Sequence, residues 1–206
     1  KPTVQELKQN GKAKPRFHPD VTMMMTDFAG FTALSSTLDP ELLVNELDDL
    51  FHHFDDITEK YNLEKIKTIG DAYMVAAGLH DLSKDHPIRT VAAAAEIIEY
   101  LFDRNKSHEI QWNIRIGIHT GSVVSGVVGK KKFTFDTWGD TVNVASRMEE
   151  AGMVGRINVS EATYARIKNK RKGESRGMIE VKGKGKMEMW FVTKNEHVGI
   201  QNSMIP

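Results

Sequence analysis

The sequence predicts an α+β domain with a mainly antiparallel sheet and helices packed on one face of that sheet. Strand and helix patterns alternate along the 206 residues without the long, regular βαβ series of a barrel. Two short strand patterns flank Gly70-Asp71, whose turn chemistry is typical of a tight hairpin between antiparallel strands. Elsewhere, apolar residues recur at steps of three and four, which indicates amphipathic helices. A chain of this length can bury a substantial core as one large domain.

The first half of the chain contains the longest predicted elements. Residues 1–19 are polar and punctuated by glycine and proline, as in a connector, and residues 21–28 form an apolar strand pattern. Asp39 precedes Pro40 as a helix N-cap, and a second helix follows Pro87. The apolar faces of the two helices are expected to consist of Leu43, Leu47, Leu50, Phe54, Ile57 and Tyr61 in the first, and Ile88, Val91, Ala95, Ile98 and Phe102 in the second.

The remaining elements are shorter. They are two strands within residues 64–78, strands over 111–119 and 123–128 with a turn at Gly121, a strand ending at Asp136, and a helix from Gly139 to about residue 152. A strand over 156–159, a short helix capped by Ser160 and strands over 179–182 and 187–192 complete the pattern. A domain over residues 20–193 and a tail over 194–206 are therefore expected.

The charge balance argues against several classes of function. Lys plus Arg and Asp plus Glu both number 28, so no net field attracts nucleic acid or an anionic membrane surface. The absence of cysteine excludes disulfides and thiolate metal sites. The apolar stretches are too short to cross a bilayer, and a soluble, cytoplasmic domain is expected, whether or not the parent protein carries a membrane anchor.

Two aspartates in matching settings are candidate metal ligands. Asp27 and Asp71 each follow a short apolar run and have a glycine close by, so each is expected to project from a strand end that a ligand can approach. A pair of carboxylates suits Mg²⁺, which takes a few carboxylate oxygens and leaves its other positions for water and substrate phosphates.

A helix in the second half carries a candidate phosphate-binding pair. Asn143 and Arg147 are four residues apart and therefore share a helix face. The planar donors of Arg147 suit phosphate oxygens and can stabilise charge that develops during phosphoryl transfer. His119 lies in a strand pattern and is interpreted as a structural histidine rather than a general base.

The stretch Phe135-Asp136-Thr137-Trp138-Gly139-Asp140-Thr141-Val142-Asn143-Val144-Ala145-Ser146-Arg147-Met148-Glu149, together with the two aspartate motifs, resembles the class III nucleotidyl cyclases. These enzymes convert a nucleoside triphosphate to a 3′,5′-cyclic monophosphate and pyrophosphate. The resemblance covers about residues 20–193 and implies a ferredoxin-like βαββαβ core with added C-terminal strands and a helix. Residues 6–11 resemble the element that couples an upstream regulatory domain to the cyclase.

The resemblance implies a role for each candidate residue. Asp27 and Asp71 would bind two Mg²⁺ or Mn²⁺ ions, Asn143 would position the ribose, and Arg147 would stabilise the transition state at the α-phosphate. Lys182 would hold the triphosphate, with Lys184 left open as the alternative. Further contacts to the triphosphate would come from Arg115 and from the backbone around Phe28, Ala29, Gly30 and Phe31.

The base-reading positions favour ATP as the substrate. In the resemblance, Lys67 and Asp136 meet the purine edge. Adenine presents an acceptor at N1 and a donor at its amino group, which match a lysine donor and an aspartate acceptor. Guanine presents the reverse pattern and would leave both side chains unpaired. Lys67 has one further reading, as a hairpin lysine paired with Asp71.

The same resemblance implies that each active site forms between two domains. One would supply Asp27, Asp71 and Arg115, and the other Lys67, Asp136, Asn143, Arg147 and Lys182. This chain carries both sets of residues and is therefore expected to act as a homodimer with two equivalent sites. Three alternatives remain: a guanylate or mixed-specificity cyclase, a regulatory domain that binds ATP without cyclising it, and a ferredoxin-like RNA-binding domain. The charge balance and the missing aromatic strand signature argue against the last.

Overall fold

A computed structural model describes residues 14–81, 83–129 and 133–193. The connector residues up to 13, including residues 6–11, the basic residues 130–132 and the tail from 194 lie outside the described residues. The strands are β1 (Arg16–Phe28), β2 (Glu64–Ile69), β3 (Ala72–Ala77), β4 (Ile114–Val128), β5 (Thr134–Trp138), β6 (Ile157–Ser160), β7 (Gly173–Val181) and β8 (Gly185–Val192). The helices are α1 (Phe31–Ser35), α2 (Pro40–Lys60), α3 (His86–Arg104), α4 (Asp140–Glu150) and α5 (Glu161–Ile167).

The strands form one open sheet in the order β2-β3-β1-β4-β6-β8-β7, with β5 paired to β4 outside this path. The β4–β6 pair is parallel, and the other pairs are antiparallel. The predicted α+β class with a mainly antiparallel sheet is therefore confirmed. The hairpin at Gly70-Asp71 is also confirmed, because Ile69 pairs directly with Ala72.

The prediction that the helices lie on one face of the sheet is wrong. Helices α2 and α3 pack on one face, where Phe54 and Ile97 join Met24 and Tyr73 in the main core. Helix α4 lies on the opposite face, where Ala145 packs with Met23, Met25 and Met74 in a second cluster. Alternate residues of β1 thus enter different cores, as expected of a strand buried on both sides. A continuous apolar run cannot show on which face a later helix will pack.

Several element boundaries differ from the prediction. Residues 114–128 form one strand, β4, because Gly121 pairs with Val21 of β1 instead of forming a turn. Strand β1 begins at Arg16, and β7 begins at Gly173, well before the predicted residue 179. Phe102 was expected on the apolar face of α3, but it is 62% exposed. The apolar face of that helix therefore ends at Leu101.

The N-caps behave as predicted. The Asp39 side chain accepts hydrogen bonds from the backbone N–H groups of Glu41 and Leu42, with Pro40 at the start of α2. Ser160 accepts from the Thr163 N–H at the start of α5. Of the helices within the described ranges, none has the length and apolarity needed to cross a bilayer.

Helix α4 presses directly on β4 at Gly117. A Cβ at this position would lie 2.5 Å from Cα of Glu149 and closer still to the backbone N of that residue. We expect Gly117→Ala to lower the free energy of unfolding by more than about 3 kcal/mol, since backbone cannot move aside as a side chain can. Denaturant unfolding measures this change.

Gly126→Ala is the matched control, because Gly126 lies on the same strand. There the nearest atom to a new Cβ is a ring carbon of Trp138, at 3.3 Å, which can shift. An equal loss of stability in both variants would contradict the close packing of α4 on β4.

Candidate active site

The two candidate metal aspartates lie next to each other. Asp27 is near the end of β1, and Asp71 occupies the β2–β3 hairpin. The backbone N–H of Phe28 donates to Asp71 Oδ2 at 3.3 Å. Burial raises the pKa of Asp71, and the charge of Asp27 raises that pKa further. Two carboxylates that disfavour each other's charge form a site that a cation would stabilise.

Arg115 bridges this carboxylate pair to helix α4. It lies opposite Asp27 in the β1–β4 register. Its Nη2 donates to Asp27 Oδ2 at 2.7 Å, and its Nε donates to Glu149 Oε1 at 2.8 Å. Below, the term carboxylate group means the three carboxylates Asp27, Asp71 and Glu149 together with Arg115, which bridges two of them.

Glu149 was missed in the sequence analysis. It is 7% exposed, and burial raises its pKa to about 7 while Arg115 opposes that shift. A signal was present in the helix pattern, because Glu149 follows Ala145 by four residues and therefore lies on the apolar face of α4. A carboxylate at such a position requires a partner.

Lys67 and Asp136 pair with each other on the wall of a cavity. Lys67 Nζ donates to Asp136 Oδ2 at 2.5 Å, although 69 residues separate them in sequence. The reading in which Lys67 pairs with Asp71 is therefore wrong in this structure. The cavity has a volume of about 420 Å³, and its walls include Met25, Trp138 and Asn143. Apolar walls with a few polar groups are typical of a small-molecule site.

The remaining candidates occupy separate positions. Arg147 Nη1 donates to Glu150 within helix α4 at 2.5 Å. In the β7–β8 turn, Lys184 forms an ion pair with Asp140, while Lys182 is exposed. Among the described residues, no hydrogen bond or ion pair joins the carboxylate group to the Lys67–Asp136 pair. Direct hydrogen bonds and ion pairs within one protomer therefore do not connect all of the predicted site residues to one another.

His119 has the surroundings of a structural residue. Its Nδ1 lies 2.7 Å from Ser160 Oγ in a hydrogen bond, and burial lowers its pKa to about 4. The ring is therefore neutral at pH 7. This environment agrees with the interpretation made from the strand pattern.

An open, mostly antiparallel sheet with helices on both faces places the chain among the class III nucleotidyl cyclase domains. The model of the adenylate and guanylate cyclase catalytic domain matches residues 13–194, and the chain belongs to this family.

Similar proteins include enzymes of both specificities. An adenylate cyclase of Mycobacterium bovis is 38% identical over 175 residues, which cover 85% of this chain and 40% of that protein. The guanylate cyclase domain of RhGC from Catenaria anguillulae, solved with GTP, is 36% identical with a TM-score of 0.82, covering 88% of this chain and 100% of that domain. The non-canonical dimeric guanylyl cyclase domain of RhoGC from Blastocladiella emersonii is 34% identical with a TM-score of 0.79, covering 88% and 99%. The chain thus spans less than half of the Mycobacterium relative.

Proposed function

We propose that this domain is an adenylate cyclase that converts ATP to 3′,5′-cyclic AMP and pyrophosphate. The observation that carries the proposal is the Lys67–Asp136 pair, 2.5 Å apart on the wall of a cavity. Membership of the cyclase family supports the reaction class, and this pair supports the choice of nucleotide.

The pair distinguishes the purines by the direction of hydrogen bonding. Lysine only donates and ionised aspartate only accepts, so adenine N1 can face Lys67 while the adenine amino group faces Asp136. Guanine would place N1–H and O6 against partners of the wrong kind. Asp136 is 8% exposed, so an unmatched contact there cannot be replaced readily by water. The free protein satisfies both side chains by pairing them, and adenine would replace each partner with an equivalent one.

Asp27 and Asp71 would hold two divalent cations, Mg²⁺ or Mn²⁺. Within residues 14–81, 83–129 and 133–193, no set of three or more His, Cys, Asp or Glu side chains is arranged to hold an ion. Asp27 and Asp71 are nevertheless hard oxygen donors whose mutual repulsion a cation would relieve. They would hold the ions, with substrate phosphates completing the coordination. When bound, such ions acidify the ribose 3′-hydroxyl and neutralise charge on the triphosphate.

The reaction needs no protein nucleophile. The ribose 3′-oxygen forms a bond to the α-phosphorus in line with the bond that breaks to pyrophosphate. Asn143 would hold the ribose, and Arg147 would donate to the α-phosphate oxygens, where charge develops in the transition state. Lys182 is the better candidate for the triphosphate, because Lys184 is already paired with Asp140.

We propose further that the active site is shared between two copies of the chain. One protomer would supply Asp27, Asp71 and Arg115, and its twin would supply the base-reading pair with Asn143, Arg147 and Lys182. Within the described residues no hydrogen bond or ion pair joins Asp27, Asp71 or Arg115 to the base-reading pair, which supports this arrangement. The non-canonical dimer of the Blastocladiella relative supports dimerisation. An upstream regulatory domain and a cytoplasmic location are also proposed.

A guanylate or mixed-specificity cyclase is the second candidate, because the RhGC domain was solved with GTP. A non-catalytic ATP-binding domain is less favoured, since the candidate metal, ribose and transition-state residues are all present. We expect the purified domain, incubated with ATP or GTP and Mg²⁺ or Mn²⁺, to form cyclic AMP in preference to cyclic GMP. Chromatographic identification of the products tests this. Preferential cyclic GMP formation would contradict the proposal, as would a nucleotide that binds but is not converted.

A further inference from the structure

Arg115 contacts two carboxylates at once through different nitrogens. Nη2 donates to Asp27 Oδ2 at 2.7 Å, and Nε donates to Glu149 Oε1 at 2.8 Å. Both are charge-assisted hydrogen bonds, which are stronger than neutral ones. The guanidinium group is rigid and planar, so its two partners together determine where it lies.

The two partners differ in their surroundings. The Glu149 side chain is 9% exposed, and the backbone of Glu149 is the part of α4 that presses on β4 at Gly117. The Asp27 side chain is 28% exposed and has Asp71 as a neighbour. A buried carboxylate without its partner is costly, whereas a partly exposed one can exchange partners more easily. The Nε–Glu149 contact is therefore the more permanent of the two.

Arg115 occupies one of the two Asp27 carboxylate oxygens that could bind a metal ion. Asp27 Oδ2 accepts from Arg115, while Asp71 Oδ2 accepts from the backbone N–H of Phe28 at 3.3 Å. Arg115 pairs with two carboxylates, Asp27 and Glu149, and a third, Asp71, neighbours Asp27. Arg115 thus neutralises part of the charge that a divalent ion would otherwise neutralise.

We propose that Arg115 is the resident cation of the free site, and that Glu149 is the positioning residue that keeps Arg115 tethered once it releases Asp27 to a divalent ion. This inference rests on the proposed function for the identity of the metal ligands. Nε stays on Glu149, while the η nitrogens turn from Asp27 to the phosphate oxygens that arrive with the ion. Arg115 therefore serves first as a placeholder and then as a phosphate ligand.

The test is Mn²⁺ binding in the absence of nucleotide, measured by calorimetry or by electron paramagnetic resonance of free Mn²⁺. We expect Arg115→Gln to tighten Mn²⁺ binding by about tenfold, because Asp27 loses its competitor. Arg115→Lys keeps the charge but cannot span both carboxylates, so it should tighten binding by a smaller factor. Glu149→Gln should weaken binding about threefold, because Arg115 then pairs more firmly with Asp27.

A double variant distinguishes a role of Glu149 through Arg115 from a direct influence of the Glu149 charge on the ion. If Glu149 acts through Arg115, Glu149→Gln no longer changes Mn²⁺ affinity in the Arg115→Gln background. Arg156→Gln is the matched control: Arg156 pairs with the exposed Glu174, and its loss should leave Mn²⁺ affinity unchanged. Circular dichroism confirms that each variant is folded.

Three results would overturn the inference: unchanged or weaker Mn²⁺ binding by Arg115→Gln, additive effects in the double variant, or no Mn²⁺ binding by either Arg115 variant. Because no nucleotide is present, these results do not depend on whether the domain produces cyclic AMP. Failure of the proposed activity and failure of this inference are therefore distinguishable.

Discussion

A mixture of two inactive variants, Asp27→Ala and Arg147→Ala, is expected to regain about a quarter of wild-type cyclase activity. Each variant alone destroys both sites of a homodimer, by loss of a metal carboxylate or of the transition-state donor. In a hybrid dimer, the Arg147→Ala chain supplies Asp27 to one site and the Asp27→Ala chain supplies Arg147 to the same site. Half of the dimers are hybrids after random exchange, and half of their sites are intact.

The control mixture uses two variants from the same set of residues. In a hybrid of Asp27→Ala and Asp71→Ala, each site takes both metal carboxylates from a single chain. Each chain lacks one of the two, so neither site of the hybrid is intact. Chromatographic assay of the cyclic nucleotide gives the activity, and differently tagged chains show that hybrids form. Recovery in the control mixture, or none in the test mixture despite hybrid formation, would contradict shared sites.

The second large effect is expected from the double change Lys67→Glu with Asp136→Cys. Glutamate accepts from the guanine N1–H, and the cysteine removes an acceptor that would face guanine O6. We expect the ratio of kcat/KM for ATP to that for GTP to fall by about 100-fold or more, because each buried mismatch is costly. Steady-state kinetics with both nucleotides measure this ratio.

The same two substitutions can be made at an exposed ion pair on the surface. Lys106 Nζ and Asp103 Oδ1 lie 2.7 Å apart, with side chains 60% and 64% exposed. Lys106→Glu with Asp103→Cys should leave the ratio unchanged. If the cavity variant is folded and active but its ratio equals that of the control, Lys67 and Asp136 do not read the base.

Local patterns were sufficient to predict most elements. The tight hairpin, the Asp39 cap and the apolar face of α2 each depend on residues close together in sequence, and the structure confirms them. The meeting of Lys67 with Asp136 was expected from the family resemblance, since a separation of 69 residues leaves no local signal. The roles of these residues in substrate binding stay predictions.

The missed features depend on contacts between distant segments. Glycine is common in turns, but here Gly121 pairs with Val21 of β1, and β4 continues through this position. The placement of α4 on the second face depends on how the chain crosses the sheet. Glu149 was missed for the same reason, because its partner Arg115 becomes visible only when α4 and β4 are packed together.

Within the described residues, strand β5 is hydrogen-bonded to one other strand, β4, and lies outside the main strand order. Asp136 therefore stands on a side branch, whereas Asp27 stands on a central strand held by neighbours on both flanks. Substitutions on a branch disturb fewer supporting bonds than substitutions in the middle. The proposed base contact of Asp136 can therefore be altered with less disturbance of the sheet than the proposed metal ligand Asp27.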